Sequence, residues 1–254
     1  MNDTIVMIHG MWAGGWYWEN YQTFFTSKGY RCLTPTLRHH DVKPEDPPPP
    51  GLAMISVRDY TDDLLEFVQN LDDIPILMGH SMGGLLAQII ATQIDCKALV
   101  LIAPAATDDI PSLSFSVVKT FWSSFARWGF WKKPMRPTFK EIAYGIFQLL
   151  PFKEQKRMYD QFVFESGKAA TEIGFPMFDK NRTSHVDETR ISCPVLICAG
   201  AQDRIIPLSA AKKMYEKYSH VATLKVYEDH AHWLLGETGW ETVAQDIDSW
   251  LQNI

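Results

Sequence analysis

The sequence predicts an α/β fold, a mostly parallel sheet held between helices, on three observations. Short β-branched and aliphatic runs alternate with amphipathic helical segments along most of the 254 residues. Those runs lack polar alternation, and one of them turns into a helix at a glycine-flanked serine. A strand without polar alternation is covered on both faces, which is the condition of a parallel sheet between helical layers.

The strand-like runs are Thr4 to Ile8, Arg31 to Thr34, Ile74 to Met78, Lys97 to Ala103, Pro194 to Ala199 and Thr223 to Tyr227. Between them, Val57, Tyr60, Thr61, Leu64, Leu65 and Val68 form a helical stripe after Ser56, whose partner three residues on, Asp59, completes a capping pair. Ala211, Met214, Tyr215 and Tyr218 make a second stripe. Trp240, Val243, Ala244, Ile247 and Leu251 make a third, with Thr238 and Glu241 as its expected cap. Strand and helix in repeated alternation is the α/β signature.

Two segments break the rhythm. Residues 41–51, DVKPEDPPPPG, admit neither helix nor central strand and predict a stiff surface connection. Residues 105–190 read as helical, without a clear strand, and carry 16 of the chain's 32 aromatic residues, most densely at FWSSFARWGFW, 121–131. The expected organisation is therefore a sheet core from 1–104 and 191–254 with a helical cap, or lid, at 105–190.

Composition narrows the function classes. A hydrophobic share of 46% and a charged share of 21% describe an ordinary globular chain. The net charge of −6 gives no general phosphate-seeking field, so nucleic acid is not an expected partner. Cys32, Cys96, Cys193 and Cys198 adjoin or sit in strand-like runs and form no disulfide framework, and Cys193 and Cys198 fall on opposite faces of one strand, so no metal is expected there. No apolar run approaches the roughly 20 residues of a membrane span. The first strand begins at Thr4 with no targeting segment before it, so a cytoplasmic location is expected. The sequence sets no oligomeric state.

Chemistry concentrates at ILMGHSMGGLLAQII, residues 76–90. In a parallel sheet, ligands collect beyond the carboxyl ends of the strands, where Ser81 falls. A sharp strand-to-helix turn leaves room for side chains only if the residues two before and two after the serine are glycine, as Gly79 and Gly83 are. A serine hydroxyl at neutral pH needs a base and a pair of oxyanion donors. The turn after His9-Gly10 aims the backbone N–H of Met11 at the same edge, and the N–H of Met82 opens the helix after the serine. Trp12 is a candidate pocket wall. Downstream, one strand ends in a loop carrying Asp203 and the next in a loop carrying His230 and His232. Serine, aspartate, histidine in that order is the constellation in which histidine is the base and aspartate fixes its tautomer.

With these residues in place the chain resembles the α/β-hydrolases. The resemblance rests on His9-Gly10, the Gly79-His80-Ser81-Met82-Gly83 elbow, GAQDRIIP around Asp203 and HWLLGE from His232 to Glu237, and it covers everything outside 105–190. It implies an α/β-hydrolase fold with Ser81 as nucleophile, Asp203 as orienting acid and His232 as base. His232 is chosen over His230 because Ala231, Trp233 and Glu237 surround it as the family pattern requires. His80 is then structural, Asp108 and Asp109 are fallback acids, and Asp229 is solvated. The opening HGMWAGGWYW resembles the branch of hydroxynitrile lyases and plant methyl-esterases, which begins on this same strand. LRHHDVKP, 37–44, departs from the family's usual loop, and its adjacent His39 and His40 lack the spaced partner a metal would need.

The resemblance implies a serine hydrolase of a small-molecule carboxylic ester, working through an acyl-serine without cofactor or metal. The aromatic insert suggests an apolar acyl or aryl group, with Trp12, Trp122 and Trp233 as expected pocket residues. Carbon–carbon hydrolysis or cyanohydrin cleavage by the same triad, and a slow-turnover small-molecule receptor, are the alternatives on this scaffold.

Overall fold

The computed structural model describes residues 3–111 and 113–254. Among these residues, six strands form one sheet: β1 Thr4–Ile8, β2 Arg31–Leu33, β3 Ile76–His80, β4 Ala98–Ile102, β5 Val195–Gly200 and β6 Ala222–Tyr227. Their order is β2-β1-β3-β4-β5-β6, and every pairing is parallel. The register sets Ile5 between Cys32 and Ile76, and Ile197 between Leu101 and Leu224. Strands β1, β3, β4 and β5 are buried along their whole length, which explains why their sequences show no polar alternation.

The chain winds outward from β1 to β2, then returns to β3 on the other side of β1. This reversal opens a crevice at the carboxyl ends of β1 and β3, the place where sheets of this kind bind ligands.

Among the described residues, ten α-helices accompany the sheet: α1 Glu19–Ser27, α2 Val57–Gln69, α3 Met82–Ala91, α4 Phe115–Thr120, α5 Trp122–Phe125, α6 Phe139–Gly145, α7 Phe152–Asp160, α8 Gly167–Gly174, α9 Leu208–Lys217 and α10 Trp240–Leu251. The capping box expected at Ser56 and Asp59 is present at the start of α2. Val57, Tyr60, Thr61, Leu64 and Val68 are buried from the stripe, while Leu65 is half-buried. In α9, Ala211 and Met214 are buried and Tyr215 is exposed.

The cap expected for α10 is corrected: the N-cap is Gly239, at φ 91°, and Thr238 makes no capping bond. A glycine enters that left-handed conformation without the Cβ clash that threonine would suffer there. The proline-rich segment 41–51 has turns and irregular backbone, and the Pro44 carbonyl accepts a 2.7 Å hydrogen bond from Arg136.

Residues 105–190 carry α4 to α8 and, among the described residues, a single antiparallel bridge, Met135 with Glu165. Ile142, Ile146, Phe147, Phe162 and Ala169 join the same continuous apolar core as the sheet. The insert therefore shares the sheet's core instead of having one of its own. Neighbouring strands bring the sulfurs of Cys96 and Cys193 within 3.2 Å, a pairing the sequence spacing does not reveal. Among the described residues, no helix is long and apolar enough to cross a membrane.

Candidate active site

Ser81 follows β3 directly and adopts φ 54° and ψ −121°, a strained conformation for a residue with a side chain. Its surroundings hold it there. Its N–H donates to the Ile102 carbonyl at 3.1 Å, and its own carbonyl accepts from Gly84 at 2.9 Å and Ala105 at 2.8 Å. The flanking glycines are steric necessities: a Cβ on Gly79 would stand 2.2 Å from the Gly83 carbonyl oxygen, and one on Gly83 would stand 2.0 Å from that of Ile8.

His232 and Asp203, on the loops after β6 and β5, meet at the same edge. The His232 Nδ1 donates to Asp203 Oδ2 at 2.8 Å, with both side chains almost wholly buried. Asp203 spends its other oxygen on the N–H groups of Ile205, 2.7 Å, and Ile206, 2.9 Å. A carboxylate with that many donors is fixed in orientation, and it fixes the imidazole tautomer in turn, leaving Nε2 as the proton acceptor.

Two further side chains hold the His232 loop. His80 donates from Nε2 to the His232 carbonyl at 2.8 Å; burial pushes its pKa well down, with His232 adding to the effect, so the ring stays neutral. Glu237 accepts the N–H groups on either side of His232, from Ala231 at 2.8 Å and Trp233 at 3.1 Å. Burial raises its carboxyl to about 7.

At the end of β1, His9 accepts the Leu37 N–H on Nε2 at 3.0 Å, so its proton sits on Nδ1 and is donated to the Gly10 carbonyl at 2.7 Å. Burial, helped by His40, lowers its pKa to about 3 and keeps it neutral. The Gly10 carbonyl and the Met11 N–H belong to one peptide plane, so this bond sets where that N–H points. A Cβ on Gly10 would lie 3.1 Å from the Ser81 Cβ, which shows how closely this turn passes the serine.

Ser81 and His232 face one cavity of about 720 Å³, mouth included. Met11, Trp12 and Met82 also line it, and Val117, Phe121 and Phe125 wall it from the insert. Among the described lining residues, Ser81 and His232 supply the polar side chains and none is charged.

Trp12, at φ 63°, stacks on Phe162 and donates from its indole to the Met135 carbonyl at 3.1 Å. The other two expected pocket residues stand elsewhere. Trp122 is 63% exposed, and its neighbour Phe121 takes the inward position. Trp233 is buried behind the histidine, 4.2 Å between ring centroids from Tyr17 and edge-on to Phe147, and does not line the cavity.

The alternative acids and base are occupied away from the serine. Asp108 binds Arg182 at 2.6 Å and His185 at 3.1 Å, and Asp109 binds Thr107 and Lys217. The His230 ring packs edge-on to Tyr227, where burial lowers its pKa.

His40 is not a free loop histidine. It is buried, with Nε2 3.1 Å from Glu165 Oε2, and Glu165 also accepts from Tyr60 at 2.7 Å and the Ser166 N–H at 2.6 Å. Burial is the largest single influence and opposes charge on both partners, but the partner's charge and the hydrogen bonds together outweigh it, raising the pKa of His40 and lowering that of Glu165. This ion pair joins the loop after β2 to the insert, and a separation of 125 positions leaves no trace of it in any local pattern.

The parallel sheet, the strained serine turn and the histidine–aspartate pair converge on one class of architecture. The chain matches the alpha/beta hydrolase family over residues 5–246 and belongs to it. It is similar to methylesterase 7 of Arabidopsis thaliana, 31% identical over 110 residues, 40% of this chain and 38% of that one. It is also similar to a carbendazim hydrolyzing esterase of a Nocardioides species, 31% identical over 104 residues, 38% of this chain and 39% of that one. Matches to such curated relatives span 38% to 62% of their lengths. Among solved structures, an Arabidopsis methylesterase superposes with a TM-score of 0.75 at 14% identity, over 99% of this chain and 100% of that one, a likeness of fold.

Proposed function

We propose that this protein is a serine hydrolase that cleaves a carboxylic ester with an apolar acyl or aryl group. One observation carries the reading: an apolar cavity whose polar side chains are Ser81 and a His232 hydrogen-bonded to Asp203. The names of the similar proteins, a methylesterase and a carbendazim hydrolyzing esterase, point the same way.

In this reading His232 Nε2 takes the Ser81 proton as the serine oxygen attacks the ester carbonyl. The N–H groups of Met11 and Met82 receive the developing oxyanion; no other protein group among the described residues engages either of them. Loss of one such donor costs about a hundredfold to a thousandfold in rate. His232 returns the proton to the departing alcohol, leaving an acyl-serine. It then deprotonates a water that attacks the acyl carbon, and the acid leaves as the serine proton is restored. No step requires a metal or cofactor.

Residues 105–190 act here as the lid over the sheet's carboxyl edge, with Val117, Phe121 and Phe125 on the apolar part of the substrate. Cyanohydrin cleavage is less well served, because cyanide would leave as an anion into a cavity without a charged side chain among its described residues.

A fluorophosphonate probe and p-nitrophenyl esters of increasing acyl length test the reading. Labelling at Ser81 and ester turnover abolished by Ser81→Ala support it. Cyanohydrin or diketone turnover with negligible ester cleavage overturns it, as does tight apolar-ligand binding without turnover.

A further inference from the structure

Residues 111–140 differ in charge from the rest of the chain. They hold six cations, Lys119, Arg127, Lys132, Lys133, Arg136 and Lys140, and no carboxylate, whereas the other 224 residues hold 18 cations against 30 carboxylates. None of the six forms a salt bridge among the described residues. All but Arg136 are exposed.

The same stretch carries large apolar side chains in water. Phe115 is 82% exposed, Trp122 63% and Trp128 86%. Singly exposed apolar residues are unremarkable, but several close together mark an interaction surface. Here they interleave with cations on α4, α5 and the turn that follows: Lys119 lies over the Tyr144 ring, Lys133 donates to the Trp128 carbonyl and Arg136 to that of Pro44, while Arg127, Lys132 and Lys140 have no partner among the described residues.

The inner side of this segment lines the cavity through Val117, Phe121 and Phe125. Leu113 both lines the cavity and is 47% exposed, which places part of the mouth within the segment. An open groove continues the surface between Trp131 and Phe178, with Lys132, Lys168 and Lys180 along it. The carboxylates in that groove are already engaged, Glu172 by Ser56 and Val57, and Asp179 by Thr183 and Asn181.

We propose that the outer face of residues 111–140 docks on an anionic lipid surface, its aromatic side chains entering the interface and its cations pairing with lipid headgroup charges. The cavity mouth then faces the layer in which apolar esters dissolve. Aromatic rings and cations together are the composition that settles at a bilayer interface. A nucleic acid would use the cations but leave the aliphatic rim at Leu113 in water, and the remaining surface, strongly acidic, would repel it. The proposal rests on exposure and charge, not on ester turnover, so it stands or falls separately from the reading of the active site.

The test is flotation of the full chain with vesicles of phosphatidylcholine alone and of equal parts phosphatidylcholine and phosphatidylglycerol. The wild type is expected to float with the mixed vesicles, to stay behind with the neutral ones, and to be released by about 0.5 M salt, where screening shortens the reach of charge. Arg127→Glu with Lys132→Glu weakens the binding by at least about tenfold. Phe115→Ser with Trp128→Ser weakens it separately, with thermal melting as the check that both variants fold. Equal binding to both vesicles, or to neither, overturns the proposal. So does sedimentation showing a dimer that dissociates in the Phe115→Ser, Trp128→Ser variant, or binding to single-stranded DNA in preference to lipid.

Discussion

The carboxyl edge of the sheet and the insert above it contribute to the same cavity by different means. At the sheet edge, each proposed functional position follows a strand end, and hydrogen bonds fix it twice or three times over: Ser81 by Ile102, Gly84 and Ala105, Asp203 by Ile205 and Ile206, the His232 loop by His80 and Glu237. The insert's wall is made of aromatic and aliphatic packing on short helices. In the proposed reading, reaction geometry is thus assigned to backbone and polar contacts, and the shape of the apolar space to side chains that can vary without disturbing it.

The largest expected effect tests the sheet edge. Ser81→Ala should lower ester turnover by at least about ten-thousandfold while the melting temperature holds, because the Ser81 hydroxyl makes no protein hydrogen bond among the described residues that the fold would lose. His232→Ala should match it, since groups acting as a unit do not add. A residual rate within tenfold of wild type in either variant would leave the edge without its assigned chemistry.

Next is the joint between the two regions. Glu165→Gln leaves a buried His40 facing a neutral partner, and breaking a buried pair in this way costs about 3–5 kcal/mol. Chemical denaturation measures it. A loss below about 1 kcal/mol would mean that the pair holds nothing together.

The pH dependence of stability examines Glu237, which holds the His232 loop. Its carboxyl is raised from 4.5 to about 7, so the folded protein binds this proton more tightly than the unfolded chain. That contribution is complete below about 4.5 and lost as pH rises through 7. Relative to wild type, Glu237→Gln should therefore gain stability between pH 4.5 and 8, by up to about 3 kcal/mol. Parallel stability curves for the two proteins would show that the carboxyl does not titrate in this range.

The two regions also differ in how much of them the sequence discloses. Ser81, Asp203 and His232 are legible because Ser81 directly follows a recognisable strand, Asp203 and His232 stand on the loops after two others, and the glycines around Ser81 announce the turn. The His40–Glu165 pair is invisible, since its members are far apart in the chain and neither belongs to a motif. Gly239 takes the cap expected of Thr238 because a left-handed backbone, not a side-chain hydroxyl, starts α10. In the insert, α4 and α5 have six and four residues, under two turns each, too short for a hydrophobic period to separate an inner face from an outer one. Aromatic density points to that region without saying which rings turn inward.

The smallest expected effect follows from that ambiguity and settles it at adjacent positions. Phe121 faces the cavity and packs 5.6 Å from the Trp12 ring, while Trp122, one residue on, points outward. Phe121→Ala enlarges the apolar space beside the serine. It should shift preference toward longer p-nitrophenyl esters by about tenfold in kcat/KM, the scale of one or two methylenes in an apolar pocket. Trp122→Ala removes a larger side chain yet should leave the chain-length profile within about twofold, because an exposed ring contributes little to packing on the substrate. The reverse order, with Trp122 governing chain length and Phe121 silent, would mean that the insert turns its outer face inward when substrate binds.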